Sequence, residues 1–330
     1  HWRKIDRLPG VPADAYIARL RASQHDAGTV YVAAENHQNG DFKPYLLKSS
    51  DAGRSWKSIA GDLPERGSTY AIAEDPVDPN LLFAGTEFAA YWSRDGGQHW
   101  LKINGLPTIA VREIAIQKRE NDLVLATFGR GIYIVDDYSA MRHPAAALDK
   151  PASLFPARDA VLFVPTQQYA MPGKGFQGEM FFQGDNPPYG TTFTYYLKDA
   201  IKTLKEKRIE GEQAAEKAGR PIRYATPDEL RAEAREEAPT MLLTVSSAAG
   251  TPIRVITGPV AKGLHRVAWD LRAPAHQLPP NRPRGELDEL FGDPLVGPYV
   301  VPGEYSVTLS QRVGGVVTQV GGPVTFRVLL

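Results

Sequence analysis

Two glutamates, a histidine and an arginine form the best polar constellation in the sequence: Glu35, His37, Glu87 and Arg130. Paired carboxylates can move protons or hold a cation, an imidazole changes charge near neutral pH, and a guanidinium recognises carboxylate or phosphate. Glu35 and Glu87 each lie two residues beyond matching positions, Ala33 and Gly85, and Arg130 lies just past the matching stretch of a third segment. If those stretches are strands ending on one rim, the four side chains line a common ligand-binding surface. The alternative is that they satisfy exposed backbone at strand ends. Other chemistries find no footing. The seven histidines, His1, His25, His37, His99, His143, His265 and His276, form no His-Glu-x-x-His pair or other short metal-ligand spacing. There is no Gly-x-Ser-x-Gly elbow, and Gly173-Lys174-Gly175 lacks the rest of a phosphate loop. Without cysteine the chain has no thiol nucleophile, Cys-ligated zinc or disulfide. The expectation is no catalytic residue, no metal and no cofactor.

The elements that must position these residues are repeats. Trp2-Arg3-Lys4-Ile5 running to Leu8-Pro9 matches Trp56-Lys57-Ser58-Ile59 to Leu63-Pro64 and Trp100-Leu101-Lys102-Ile103 to Leu106-Pro107, with tryptophan spacings of 54 and 44. Two of the tryptophans close the same octapeptide, Ser49-x-Asp51-x-Gly53-x-Ser55-Trp56 and Ser93-x-Asp95-x-Gly97-x-His99-Trp100. Short apolar runs at 30–34, 81–85 and 123–127 each follow a polar turn. A period of 45–50 residues with about four strands per unit is the mark of a β-propeller blade. The octapeptide is turn chemistry: the carboxylate can accept from turn N–H groups, glycine supplies a positive φ, and the tryptophan offers an apolar face to the neighbouring unit. Ser49, Asp51, Gly53, Trp56, Ser93, Asp95, Gly97 and Trp100 are therefore expected to be structural. A lone Asp per turn brings too few oxygens for calcium. On this reading Trp56→Ala costs roughly 3–5 kcal/mol.

The octapeptide resembles the Asp-box, or bacterial neuraminidase repeat, of sialidases, xyloglucan-degrading hydrolases and sortilin-type propellers. With the Trp-x-x-Ile…Leu-Pro tail and the stretch from Thr127-Phe128-Gly129-Arg130 to Asp137, residues 1–140 are most similar to bacterial sortilin-like propeller proteins, although the family commonly has His where this chain has Phe128. The resemblance implies a partial propeller, and a periplasmic, extracellular or cell-surface location. His1-Trp2 matches His99-Trp100, so the chain starts inside a box and reads as a fragment whose remaining blades lie in cis or on another chain.

Residues 141–151 read as a Pro- and Ala-rich linker. Beyond it, strands are expected at 179–182, 191–197, 241–245, 253–256, 263–271, 303–309 and 324–328, which is the strand count of a β-sandwich. The series through Gly250-Thr251-Pro252, Gly263-Leu264-His265-Arg266-Val267-Ala268-Trp269-Asp270 and Val301-Pro302-Gly303-Glu304-Tyr305 resembles the FlgD-like immunoglobulin module, so residues 152–330 are expected to form such a domain. Residues 198–237 hold 20 charges, ten of each sign. Two inserted helices are expected there, about 199–218 and 227–238, as a solvated hairpin or one that docks a partner through Ile201, Leu204 and Ile209. Residues 274–298 read as a long surface loop. The fold class is thus all-β, a partial propeller plus a sandwich with a charged helical insertion.

With 38 basic and 38 acidic residues the formal charge is zero, which argues against a nucleic-acid groove or a polybasic membrane patch. No apolar run reaches the length of a membrane-spanning helix, and the first residues do not read as a signal peptide. Two functions remain. One is a non-catalytic binding or scaffold module with a protein or peptide partner, held against the array ends at 1–35 or 108–137. The other is a glycoside hydrolase of sialidase or xyloglucanase type, for which Arg112 and Arg130 are the only arginines placed to help and no nucleophile can be assigned.

Overall fold

The computed structural model describes residues 4–143, 146–163, 184–275 and 296–330. The half-box at 1–2, the strand expected at 179–182 and most of the loop expected at 274–298 lie outside them. The chain is mostly β and divides into two compact units, His1–Pro144 and Ala145–Leu330.

The first unit is a run of antiparallel meanders. Strands β1 (Tyr16–Ala22), β2 (Val30–Asn36), β3 (Asp41–Ser49) and β4 (Lys57–Ser58) pair in chain order to form the first sheet. The second sheet is β5 (Thr69–Glu74), β6 (Leu82–Thr86), β7 (Ala90–Ser93) and β8 (Leu101–Lys102), and the third is β9 (Val111–Gln117), β10 (Asp122–Thr127) and β11 (Ile132–Val135). Successive up-and-down sheets packed face to face make the unit propeller-like. Strand periodicity sends alternate residues of β6 to opposite neighbours. Leu82 and Ala84 join Tyr31, Ala33, Leu46 and Trp100 in one core, whereas Phe83 joins Ile114, Leu123 and Leu125 in the next. Gly85 permits close approach, because a Cβ there would lie 2.5 Å from the Val111 carbonyl oxygen.

Trp100 is buried against the first sheet, and its Nε1 donates to the Ile59 carbonyl at 3.0 Å. Trp56, its repeat equivalent, is only half-buried, and its Nε1 has no hydrogen-bond partner. Trp56 thus lacks the full enclosure expected from the sequence, and the large truncation cost transfers to Trp100. Beyond β11, the turn Tyr138–Arg142 packs back onto the unit: Arg142 binds the fully buried Asp75 carboxylate at 2.8–3.0 Å, and the Tyr138 hydroxyl donates to it at 2.6 Å. Met141 and Arg142, read from sequence as linker, thereby belong to the packed unit.

The second unit starts with a helical turn, α1 (Ala146–Asp149), then β12 (Ala152–Leu154), β13 (Ala160–Val161) and β14 (Thr191–Leu197). Helices α2 (Leu204–Lys217) and α3 (Pro227–Arg235) precede β15 (Thr240–Ser247), β16 (Pro252–Gly258), β17 (Gly263–Trp269), β18 (Gly303–Val313) and β19 (Val316–Leu329). Sheets β12-β14-β17 and β13-β19-β18-β15-β16 share a core of Phe193, Tyr195, Met241, Leu243, Trp269, Val307 and Phe326 among others. Both helices open on capping boxes, Thr203 with Glu206 and Thr226 with Glu229. The first box delays α2 to Leu204, five residues after the expected start. Ile201 then stays outside the helix, donates its N–H to the Val260 carbonyl at 2.9 Å and packs on the sheet core, so it is not available to a helical docking seam.

Candidate functional site

Backbone register decides which side chains meet on the rim of the first unit. The N–H of Glu87 donates to the Ser68 carbonyl, and that of Phe128 to the Ala110 carbonyl, both at 2.9 Å. Each residue directly follows its strand, β6 or β10, just past a register shift in the pairing with β5 or β9. Glu35 holds the corresponding place at the end of β2, opposite Tyr16. The third repeat therefore presents Phe128 where the first two present glutamates. On the first strand of each pair, Tyr70 follows Thr69 and Arg112 follows Val111 in the same relation.

These residues form one polar-aromatic group. Glu35, almost fully buried, accepts from the His37 backbone N–H at 3.1 Å, and the His37 Nδ1 also bonds to the same oxygen. The His37 ring stands edge-on to Tyr70, with 6.4 Å between centroids. The Arg112 guanidinium lies 3.8 Å from the centroid of Tyr70 and 5.2 Å from that of Phe128, so it is flanked by two aromatic faces. Phe128 is exposed. Burial, the largest influence, raises the Tyr70 phenol above its ordinary value; the charges of Glu87 and Glu35 push the same way, and Arg112 opposes them. Glu87 Oε2 is buried with no hydrogen-bond partner.

Glu35, His37 and Glu87, expected from the sequence, thus surround Tyr70. Arg130 sits exposed in the β10–β11 turn between Gly129 (φ 87°) and Gly131 (φ 71°), and the guanidinium that joins the group is that of Arg112. Tyr70 and Ser68 were not foreseen. Aligning the first strand of each repeat as closely as the second would have placed Tyr70 level with Arg112.

The arrangement supplies groups that can recognise a ligand. Arg112 offers a cation between aromatic walls, and Glu87 Oε2 offers an unpaired acceptor. A tyrosine nucleophile needs an adjacent base or a lowered pKa. Tyr70 donates a hydrogen bond to neither carboxylate, and its phenol is raised. Among the described residues, no three His, Asp or Glu side chains form a group able to hold a metal ion.

The two octapeptides lie in the β3–β4 and β7–β8 turns. Asp51 Oδ1 accepts from Ser49 Oγ and from the Arg54 and Ser55 N–H groups, each at 2.8 Å, while Ser49 Oγ accepts from the Gly53 N–H. Asp95 repeats this with Ser93, Gln98 and His99, and its second oxygen meets His99 Nδ1 at 2.7 Å. The Ser55 and other hydrogen bonds hold the Asp51 carboxyl well below its usual range. For Asp95 burial works the other way but is outweighed by the His99 and Ser93 bonds, leaving it at about 2. These carboxylates are consumed by their own turns.

No family model matches the chain, and the search of curated proteins found no match. Among solved structures it is similar to an ancestral GH74 enzyme, at 24% identity over 34% of this chain and 14% of that one, with a TM-score of 0.29. It is similar also to the GH74 xyloglucanase of Xanthomonas campestris, at 19% identity over 43% of this chain and 25% of that one, TM-score 0.32. A third is YCF48 bound to a D1 peptide, at 17% identity over 38% of this chain and 37% of that one, TM-score 0.29. The chain spans less than two-fifths of the length of each. Likeness at this level carries no functional argument, and the fold rests on the sheets themselves.

Proposed function

We propose that this protein is a non-catalytic binding module whose rim, at Glu35, His37, Tyr70, Glu87, Arg112 and Phe128, holds a peptide or protein segment. The observation that carries this reading is the pairing of Arg112, flanked by two rings, with the unpartnered Glu87 Oε2. A ligand that satisfies both must bring an anion and a hydrogen-bond donor close together. A peptide with an acidic side chain or terminal carboxylate beside a free N–H does so. In this reading the first unit is part of an Asp-box propeller of sortilin-like kind and the second a FlgD-like sandwich carrying the helical hairpin. The whole works outside the cytoplasm, as the resemblance implies. Charge neutrality speaks against a nucleic-acid partner, and no described helix is long and apolar enough to cross a membrane.

The test is binding of a panel of labelled peptides, acidic, neutral and basic, by fluorescence anisotropy. Acidic peptides should bind best, and Arg112→Ala should weaken them by about tenfold or more, the worth of a hydrogen bond to a charged group. Glu87→Gln should weaken them less, and Arg130→Ala should leave them unchanged. Equal binding by native protein and both rim variants would remove the site. A hydrolase reading draws on the carboxylates and arginine around Tyr70. Turnover of an aryl sialoside or a xyloglucan oligomer, lost on Glu87→Gln, would establish it in place of the binding reading.

A further inference from the structure

The rim of the first unit also carries a second arginine-aromatic pair. The Arg66 guanidinium, exposed in the loop between β4 and β5, lies 4.9 Å from the centroid of Phe42, the second residue of β3. Arg112, on β9, lies against Tyr70 and Phe128. Among the described residues neither guanidinium has a hydrogen-bond or ion-pair partner, whereas Arg19 and Arg21 share Glu113 and Arg142 holds Asp75. A ring beneath a guanidinium fixes its plane and leaves the N–H fork at its edge free, the form that takes a carboxylate through two hydrogen bonds.

The chain between the two pairs is held by bonds to both neighbouring sheets. The Gly67 N–H donates to the Phe42 carbonyl at 2.8 Å, the Ser68 carbonyl accepts from the Glu87 N–H, and the buried Thr69 hydroxyl accepts from the Tyr45 N–H at 3.2 Å. Arg66 and Tyr70 stand four residues apart in the sequence, so their Cα atoms are no more than about 14 Å from each other. Phe88, 42% exposed, lies beside this segment, since a Cβ on Gly67 would come 3.9 Å from its ring. The segment therefore has a cation at each end, Arg66 on Phe42 and Arg112 on Tyr70, with the Phe88 ring and the Glu87 carboxylate between them.

We infer that this rim binds an extended peptide of the pattern acidic-x-apolar-x-acidic, its two carboxylates on Arg66 and Arg112 and its middle side chain on Phe88. The inference rests on the reading of the rim as a peptide site and adds Arg66, Phe42 and Phe88 to it. In an extended strand the side chains at i, i+2 and i+4 face the same way, and four residues cover about 13 Å, the reach of the segment beneath. A main-chain N–H of such a peptide can donate to Glu87 Oε2, which has no partner of its own. The Glu87 charge also works against an acid at the middle position, so the site selects the spaced pattern over an unbroken acidic run.

Fluorescence anisotropy with a labelled peptide containing Asp-Ser-Leu-Ser-Asp tests this against four relatives: each Asp changed in turn to Asn, and Leu changed to Asp or to Ser. The diacidic peptide should bind the native protein about tenfold or more tighter than either Asn peptide, the worth of one hydrogen-bonded charge. It should also bind tighter than the triacidic one. In Arg66→Ala, with its circular dichroism unchanged, the preference for two acids should vanish, and Arg66→Lys, which keeps the charge without the fork, should restore only part of it. Phe88→Ala should remove the preference for Leu over Ser. An Arg66→Ala protein that still prefers two acids, or a native protein that binds the triacidic peptide best, would overturn the pattern; if Arg112→Ala still weakens binding, the single-anion site stands without it. No effect of either arginine would remove both. An oligogalacturonide that binds more tightly than the diacidic peptide and displaces it would assign the two cations to an acidic saccharide instead.

Discussion

Asp95 and His99 form a small titrating couple inside the β7–β8 turn. Burial opposes ionisation of Asp95, but hydrogen bonds from His99 and Ser93 win and depress its folded pKa to about 2, while Asp95 in turn raises the His99 imidazole. A depressed carboxylate contributes stability that is present above its unfolded value and lost as pH falls; the raised histidine contributes below its unfolded value and loses this as pH rises. The couple is therefore worth most between the ordinary values, about 4 and about 6.5. Asp95→Asn should flatten the loss of denaturation midpoint between about pH 4 and about pH 2, and the native protein should show that loss. Identical acid profiles for the two proteins would mean that the box carboxylate is not held by its turn. At this scale the sequence was informative wherever the chemistry is local. Ser49, Asp51 and Gly53 act within five residues of one another, and Glu35 with His37 within three. Tyr70 with Arg112 was hidden, since that contact joins residues on different sheets and depends on register that spacing alone leaves open.

The strand-turn-strand unit is where matching sequence need not mean matching energetics. Trp56 and Trp100 end the same octapeptide, but only Trp100 is enclosed by its neighbours and hydrogen-bonded through Nε1. Trp100→Ala should cost roughly 3–5 kcal/mol in chemical denaturation and Trp56→Ala clearly less. Equal costs would show that the first tryptophan is enclosed as deeply as the second. The Tyr138–Arg142 turn is a second anchoring element. Removing Arg142 leaves a buried, uncompensated Asp75 carboxylate, so Arg142→Ala should destabilise the first unit by about 3–5 kcal/mol, and Asp75→Asn combined with it should restore part of the loss. Failure of the second change to restore anything would place the effect in packing. Periodicity made the β6 and β10 strands plain, and the Thr226-Pro227 start made α3 plain. It did not reveal β12 and β13, which are two or three residues long and exist because longer strands recruit them.

Each half of the whole molecule has its own core, Tyr31, Leu82, Phe83 and Leu123 in one and Phe193, Leu243 and Trp269 in the other. Urea unfolding should therefore show two transitions, with Trp100→Ala moving only that of the first unit; a single transition shifted as a whole would mean that the halves unfold together. The place of Arg142 in the first half was not legible in the sequence, because its partner Asp75 lies 67 residues away. The rim carries one more implication. Glu87 and Phe128 are set in place by main-chain bonds to Ser68 and Ala110, which any side chain would permit. The second and third repeats thus each hold one side chain at a station set by main-chain bonds alone, so the chemistry of the surface could be rewritten one repeat at a time while the sheets beneath stay the same.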